Sequence, residues 1–491
     1  MSVVRSDFAA NNARMGENSF LSEVAEFMAL SFASIGRISS QFPSVGLCFL
    51  CLFFSACSPP QPGADDPALE SETSESSSAS DESSTEEVEV EESTQSTASD
   101  ERESVIEEVA ITEDNYHNPL TPQQQAESWI SLFDGVSLFG WESTNPETNW
   151  SVSEGSITAS EGPVGFLMTT VPYADYELIC EYRTQTGTNS GLFLRTEFPP
   201  GSIKTECYEV NIADEHPNGF LTGSLVNREK TSGDIPTNNE WNTFRINVDG
   251  DQIDIQHNDQ QVLSYNANGT VAPLGRIALQ KNFGKIEFRK LIVRPLNLTS
   301  LFNGTDLTSW REVPESKSKF TVEDGTIHVQ DGAGFLETEQ EYQDFVFQAD
   351  AKTHAAELNS GFFFRAEAGT AEAPSNGYEF QIHNGFNESR GTPNNSGTGA
   401  IFRRVDARYV VANDNEWFTS TLITYGPRVC CWVNGYQVVD WVDTRKPDPN
   451  PRRGLRLEGG HISLQGHDPT TDLSFRNLKI LELPNHPDSD E

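Results

Sequence analysis

Glu379, Gln381 and His383 stand at alternate positions of the run Tyr378-Glu-Phe-Gln-Ile-His383. In an extended strand these three polar side chains share one face, about 7 Å apart, and Tyr378, Phe380 and Ile382 share the other. A carboxylate, an amide and an imidazole in a row can move a proton and hydrogen-bond hydroxyl groups, which is the equipment for acid/base work on a sugar. The same pattern is also what an ordinary solvated sheet face carries. Arg365 ends the apolar run Asn359-Ser-Gly-Phe-Phe-Phe-Arg365, facing opposite to Phe362 and Phe364. It reads either as a clamp for an oxygen of a ligand or as the ion-pair partner of a nearby carboxylate. His467 lies in Leu464-Gln-Gly-His-Asp468, a loop beside a strand. Trp141 and Trp310 are either stacking platforms for sugar rings or core residues.

These candidates sit in elements that occur twice. Ser131-Leu-Phe-Asp-Gly135 returns as Ser300-Leu-Phe-Asn-Gly304, each followed by a tryptophan. Asn189-Ser-Gly-Leu-Phe-Leu-Arg195 returns as Asn359–Arg365, and Tyr208-Glu-Val-Asn-Ile212 as Tyr378-Glu-Phe-Gln-Ile382. Asn239-Glu-Trp241 pairs with Asn415-Glu-Trp417, Gly275-Arg-Ile-Ala-Leu-Gln280 with Gly460-His-Ile-Ser-Leu-Gln465, and Phe288-Arg289 with Phe475-Arg476. The spacing between copies grows along the chain, so the second copy carries two loop insertions. A period this long means two duplicated domains rather than a solenoid. Within each copy, Tyr176–Arg183, Phe244–Val248 and Leu473–Ile480 alternate bulky and polar residues between Gly, Pro, Asn and Asp punctuation, the pattern of short strands. Asn434-Gly435 fits a two-residue hairpin turn. No segment carries a helical stripe, and many short strands at this spacing imply an all-β chain of two-sheet sandwiches.

The ordered set Leu-Phe-[Asp/Asn]-Gly…Trp, Asn-Ser-Gly-x-Phe-x-Arg, Gly-Tyr-Glu-x-Gln-Ile, Asn-Glu-Trp, Ile-x-Leu-Gln-x-His and Phe-Arg-Asn resembles the 3-keto-disaccharide hydrolase family, also described as 3-keto-glucoside 1,2-lyase/3-keto-2-hydroxyglucal hydratase. The resemblance covers 129–297 and 298–483. It implies two tandem concanavalin/laminin-G-like jelly-roll sandwiches and activity on an oxidised glycoside or disaccharide made by a separate sugar 3-oxidoreductase. A ketone at C3 acidifies the C2–H, so a base can remove that proton and expel the C1 glycosidic oxygen. Water then adds to the enone, and the net result is hydrolysis. The needs are a base, an acid for the leaving oxygen and a cation or donor for the enolate oxygen, unlike the two facing carboxylates of ordinary glycosidases. On this reading His383 or Glu379 is the base and His467 the acid or second base. Arg365, Gln381 and Asn359 bind substrate, as do Arg195 and Glu209 in the first copy. A divalent metal on His and carboxylate ligands is an alternative to Arg365 in the enolate role, although no ligand spacing demands one. The first copy has Asn211, Ala213 and Asn282 where the second has Gln381, His383 and His467, so catalysis is expected from the second. The rival reading is a non-catalytic, lectin-like glycan-binding lipoprotein.

Upstream, Val45–Ala56 is an apolar run too short to cross a bilayer as a helix. It ends Phe54-Ser55-Ala56-Cys57, similar to a bacterial lipobox in which Cys57 takes the lipid. Met28 as the start would give a compact signal within 1–57. Ordinary secretion without a lipid is the alternative. Ser58 after the cysteine points to the outer membrane. Residues 58–128 hold 20 acidic residues and one basic residue, about half of the net charge of −41, and read as a disordered tether. Residues 484–491 read as a tail. No basic footprint for nucleic acid is visible. Cys180 and Cys207 are either a disulfide or two buried thiols, and the neighbours Cys430 and Cys431 point to opposite faces of a strand.

Overall fold

The computed structural model describes residues 109–233, 237 and 239–487. Cys57, the signal segment and residues 58–108 of the expected tether lie outside the described residues. The described chain is almost wholly β, and each copy is a sandwich of a larger and a smaller antiparallel sheet. In the second copy the smaller sheet runs, edge to edge, Trp310–Glu312, Gly334–Thr338, His461–Gly466, Ser360–Ala366, Tyr378–Ile382. The first copy repeats this order with Trp141–Ser143, Gly165–Thr169, Arg276–Phe283, Asn189–Thr196 and Tyr208–Ile212. Period-two alternation puts Phe362, Phe364, Tyr378, Phe380, Ile382 and Leu464 into the core of the second sandwich. The other face of the smaller sheet is left for polar residues.

Several repeated motifs are structural clips. Trp141 and Trp310 are buried and donate their indole N–H to the carbonyls of Leu132 and Leu301, so they are core residues and not sugar platforms. Trp241 lies under Arg289 at 3.8 Å and Trp417 under Arg476 at 4.0 Å, which explains why an Asn-Glu-Trp motif and a Phe-Arg motif recur together. Asn434 and Gly435 both adopt positive φ, 48° and 72°, and join Arg428–Val433 to Tyr436–Val442 as a two-residue hairpin. Cys180, Cys207, Cys430 and Cys431 are all free and buried. Cys430 enters a core shared with the first copy and Cys431 the core of its own sandwich.

The copies share packed surface. The first copy's core continues into Val346, Ile423, Cys430 and Trp432, on the larger sheet of the second. Asp134 meets Arg408 at 2.9 Å, and the Trp432 indole N–H donates to the Ser131 carbonyl. Residues 109–128, the end of the expected disordered linker, instead form a strap pinned at a few apolar points. Ile111 enters the second core, Tyr116 stacks on Tyr409 at 4.3 Å, and Leu120 and Trp129 cover Ile179 and Ile292 of the first copy. A capping box at Thr121 starts the short helix Pro122–Ala126 within this strap.

Arg365 departs from the expected substrate-binding role. It sits at a bulge with φ 46°, its side chain is 1% exposed, and it pairs at 2.6 Å with Asp344, itself fully buried. Its remaining N–H groups donate to the carbonyls of Gln343, Gly426 and Arg456. Arg195 repeats this with Asp175 and the carbonyls of Ala174 and Gly250. Arg365 spends four of its five N–H donors in this way and Arg195 three, and with both side chains 1% exposed neither reaches a ligand. Both arginines hold strand to loops and lie inside the fold. Arg365→Ala is expected to destabilise the protein by about 3–5 kcal/mol, because Asp344 then stays buried without its cation. Urea unfolding checks this, and Arg365→Lys should restore only part of the loss. A loss below about 1 kcal/mol, the value of a surface pair, would refute the clamp.

Candidate active site

Pairing across the smaller sheet of the second copy aligns Glu379 with Phe363 and Phe363 with Ser463, and one step along, Gln381 with Gly361. Gly361 explains how a glutamate lies flat here. A Cβ at that position would stand 2.8 Å from the Phe380 carbonyl oxygen, 3.1 Å from Glu379 Cγ and 3.3 Å from its Oε1, so glycine here lets the carboxyl lie across the strand without crowding. Gly191 does the same for Glu209, at 3.1 and 3.0 Å. The Asn-Ser-Gly motif therefore makes a seat for the glutamate of the neighbouring motif.

The electrostatics of the two glutamates differ. Burial raises the Glu379 pKa above the ordinary carboxylate value, and Arg452, at 3.4 Å, opposes that shift together with His467 and Arg403. Arg452 also lies over the Phe363 ring at 5.2 Å. Glu209 has no such neighbour, and burial alone pushes its pKa up to about 8. The cause is an insertion. Residues 443–460 join two strands that residues 267–275 join in the first copy, and Arg452 belongs to the longer connection.

The other expected residues are placed as follows. Gln381 is fully buried and donates from its amide to Asn359 Oδ1 and the Asn395 carbonyl, both at 3.1 Å. Its Oε1, like that of Gln465, is buried without a hydrogen-bond partner among the described residues. Asn359 thus positions Gln381. His383 is mostly buried, and burial lowers its pKa against the opposing pull of Glu357 and Asp414. Its Nδ1 accepts from the Gly385 N–H at 3.2 Å, so the neutral ring carries its proton on Nε2. That makes the Nε2–H of His383 a hydrogen-bond donor and not a base in this tautomer. His467 is partly exposed, its Nδ1 2.9 Å from Asp468. Asp468 is held down to about 2 by the Thr470 hydroxyl and then by His467. Arg452 and His467 thus both act on Glu379, whereas His383 belongs to the neighbouring Glu357–Asp414 environment. In the first copy Asn282 donates to Asn189 at 3.0 Å, tying together the counterparts of His467 and Asn359.

Glu379 also opens into a cavity of about 260 Å³ lined by Arg403, Arg404, Arg452 and Arg453. Sequence reasoning did not select these arginines. The available signal was two Arg-Arg pairs in loops of an acidic chain, one pair in an insertion. Phe386, 40% exposed in the longer loop after His383, was also missed. A larger cavity of about 760 Å³ lies over the first copy's larger sheet and contains none of the candidate residues. Its Glu181 is already paired with Arg289 and Lys290. No group of three or more His, Cys, Asp or Glu side chains is placed to hold a metal ion among the described residues.

The model of the 3-keto-alpha-glucoside-1,2-lyase-like domain matches residues 128–294 and again 297–481. The chain belongs to this family. A 3-keto-disaccharide hydrolase of Bacteroides thetaiotaomicron is 27% identical over 172 residues, 28% of this chain and 59% of that protein, so the match spans under two thirds of that relative. Among solved structures, a putative glycosyl hydrolase from Parabacteroides distasonis is 16% identical, with 36% of this chain and 98% of that one covered and a TM-score of 0.32. A Bacillus licheniformis beta-glucanase is 13% identical, covering 32% and 94%, with a TM-score of 0.26. The two 3-keto-alpha-glucoside-1,2-lyase-like domains of this chain thus share one framework and differ in the surroundings of one glutamate.

Glu209 gives a check on that difference. Its folded pKa lies above its unfolded value, so it supports folding most below about pH 4.3, the unperturbed glutamate value. That support is lost as pH rises through the folded value of about 8. Glu209→Gln removes the dependence, so the melting temperature of the variant should gain on that of the parent as pH rises across this window. Parallel profiles would show that Glu209 titrates normally.

Proposed function

We propose that the chain is a carbohydrate-active enzyme that cleaves 3-keto-glycosides by β-elimination and hydration, through the second domain. The observation that carries this reading is Glu379, a buried carboxyl of raised proton affinity facing a single close cation, Arg452. The C3 ketone makes the C2–H acidic, and Glu379 takes that proton as the C1–O bond breaks and the C1=C2 bond forms. Arg452 offsets the negative charge that develops on the ketone oxygen. His467, joined to Asp468, gives a proton to the departing glycosidic oxygen, and the Nε2–H of His383 orients a hydroxyl group. Water then adds its oxygen to C1 and a proton to C2. The first domain, with an uncompensated Glu209 and neither imidazole, acts as the partner that covers the larger sheet of the second. The family match supports this reading, as does the relative that is a 3-keto-disaccharide hydrolase.

We further propose a lipid on Cys57 that holds the domains at the outer membrane, and a supply of substrate from a sugar 3-oxidoreductase. The lipobox-like Phe54-Ser55-Ala56-Cys57 supports the anchor.

Two tests follow. In the full chain, Glu379→Gln should lower kcat/KM on a 3-keto-glucoside by about a hundredfold to ten-thousandfold, whereas Glu209→Gln should leave it near the parent value. The parent's rate should rise with pH through a midpoint above the ordinary glutamate range, because the base must be ionised and burial raises its pKa. No turnover by the parent, with binding of unmodified glycan, would favour the lectin-like reading. Separately, the chain made in a bacterial host should take up labelled palmitate and partition with membranes, and Cys57→Ala should abolish both. Equal labelling of the two would sink the anchor.

A further inference from the structure

The cavity beside Glu379 concentrates cations in a chain whose net charge is −41. Four of its nine lining residues are arginines, against one carboxylate. Among the described residues Glu379 makes its ion pair with Arg452, at 3.4 Å. Arg452 Nη1 remains buried with no hydrogen-bond partner among the described residues, a state that costs free energy unless something binds there. Arg403 forms no ion pair among the described residues and lies over Phe402 at 5.2 Å. Arg404 spends its bonds on the carbonyls of Arg403 and Arg452, which bring no compensating charge, and burial and the guanidinium groups of Arg445 and Arg452 depress its pKa.

The first domain shows that the fold does not need this charge. Asn227 occupies the equivalent of Arg403, and both adopt φ 60°. Asparagine is among the residues that tolerate this left-handed conformation, whereas arginine gains nothing from it. Arg228, the equivalent of Arg404, bonds to the Thr270 hydroxyl and the Cys207 carbonyl through its Nη atoms and lies over the Tyr208 ring, with its Nε buried without a partner among the described residues. The segment that carries Arg452 and Arg453 has no counterpart of its length there. Three of the four cations, Arg403, Arg452 and Arg453, therefore arrive together with the candidate site, on two separate loops that converge on one cavity.

We propose that this cavity is a subsite for an oxyanion substituent of the saccharide, a carboxylate or a sulfate ester, so that the second domain selects acidic glycosides. Forked guanidinium donors match both groups. A neutral hydroxyl would bring no charge to Arg403 or to the unpartnered Nη1 of Arg452. The reaction assigned to this substrate rests on the function proposed above, but the binding does not.

The test is calorimetric titration of the full chain with methyl glucoside, methyl glucuronoside and methyl glucoside 6-sulfate. One or both acidic probes should bind about tenfold or more tighter than the neutral one, the value of one or two charge-assisted hydrogen bonds. The preference should shrink as salt is added. Which acidic probe wins distinguishes carboxylate from sulfate. The exposed double variant R403A/R404A should bring the acidic probes down toward the neutral one while the fold, followed by melting temperature, is kept. Equal affinity for all three probes, or a preference that survives in R403A/R404A, overturns the subsite. A 3-keto-glucoside turned over with no preference for an acidic one would also remove the subsite and leave the reaction standing. Acidic probes bound through the arginines with no turnover of any 3-keto-glycoside would keep the subsite and remove the reaction.

Discussion

The second domain depends on a buried guanidinium. Arg365 cannot shed its charge at any ordinary pH, so its burial requires acceptors on every side. It finds Asp344 and three carbonyls, from Gln343, Gly426 and Arg456. Those groups belong to separate connections, and one position thereby ties them to the end of the strand Ser360–Ala366. The tie to Arg456 has the largest consequence. It fixes the far end of the inserted segment, whose near end is held by Asp443 accepting from the Tyr378 hydroxyl at 2.6 Å. Between these two anchors the chain carries Arg452 across Phe363 to Glu379. Arg365 thus shapes the site from inside the fold, four residues from the glycine that seats the glutamate.

The two domains show what a neighbouring charge does to one buried carboxyl. Strand, glycine seat and glutamate are the same in both. With desolvation alone, Glu209 holds its proton up to about pH 8. With Arg452 beside it, Glu379 is raised against an opposing cation, so its ionised form has a counter-charge at hand. A base for carbon acids needs both features, high proton affinity and a stabilised anion when the proton is delivered. The duplication supplies the first and the insertion the second. The first domain meanwhile buries part of the larger sheet of its partner, with Val346, Ile423, Cys430 and Trp432 in a shared core. The candidate site uses the smaller sheet.

Much of this was legible in the residues. Alternation in Tyr378–Ile382 set the faces correctly, because a strand with one buried face has a strict period of two. The repeats gave two domains, and Asn434-Gly435 gave a turn whose backbone demands those residues. Adjacent Cys430 and Cys431 went to different cores for the same reason of parity. Of the two readings of Arg365 the ion-pair partner holds and the ligand clamp implied by the family resemblance does not, because a sequence shows that an arginine ends an apolar strand and does not show which distant carboxylate and carbonyls surround it. The composition predicts a disordered linker through residue 128 because apolar residues are sparse along it. Ile111, Tyr116, Leu120 and Trp129 are few, but each finds a complementary surface far along the chain.

The sequence by itself determined the class of fold, the duplication, the face on which Glu379 and Gln381 stand and the loss of both imidazoles from the first copy. These are local or internally repeated properties, fixed by side-chain parity and residue type. Tertiary structure alone decided which charges meet. Arg452 and Glu379 are 73 residues apart, and Arg403 and Arg453 reach the same cavity from different loops. Proton affinity depends on burial and on the nearest opposite charge, and both are properties of folded space that no spacing along the chain encodes.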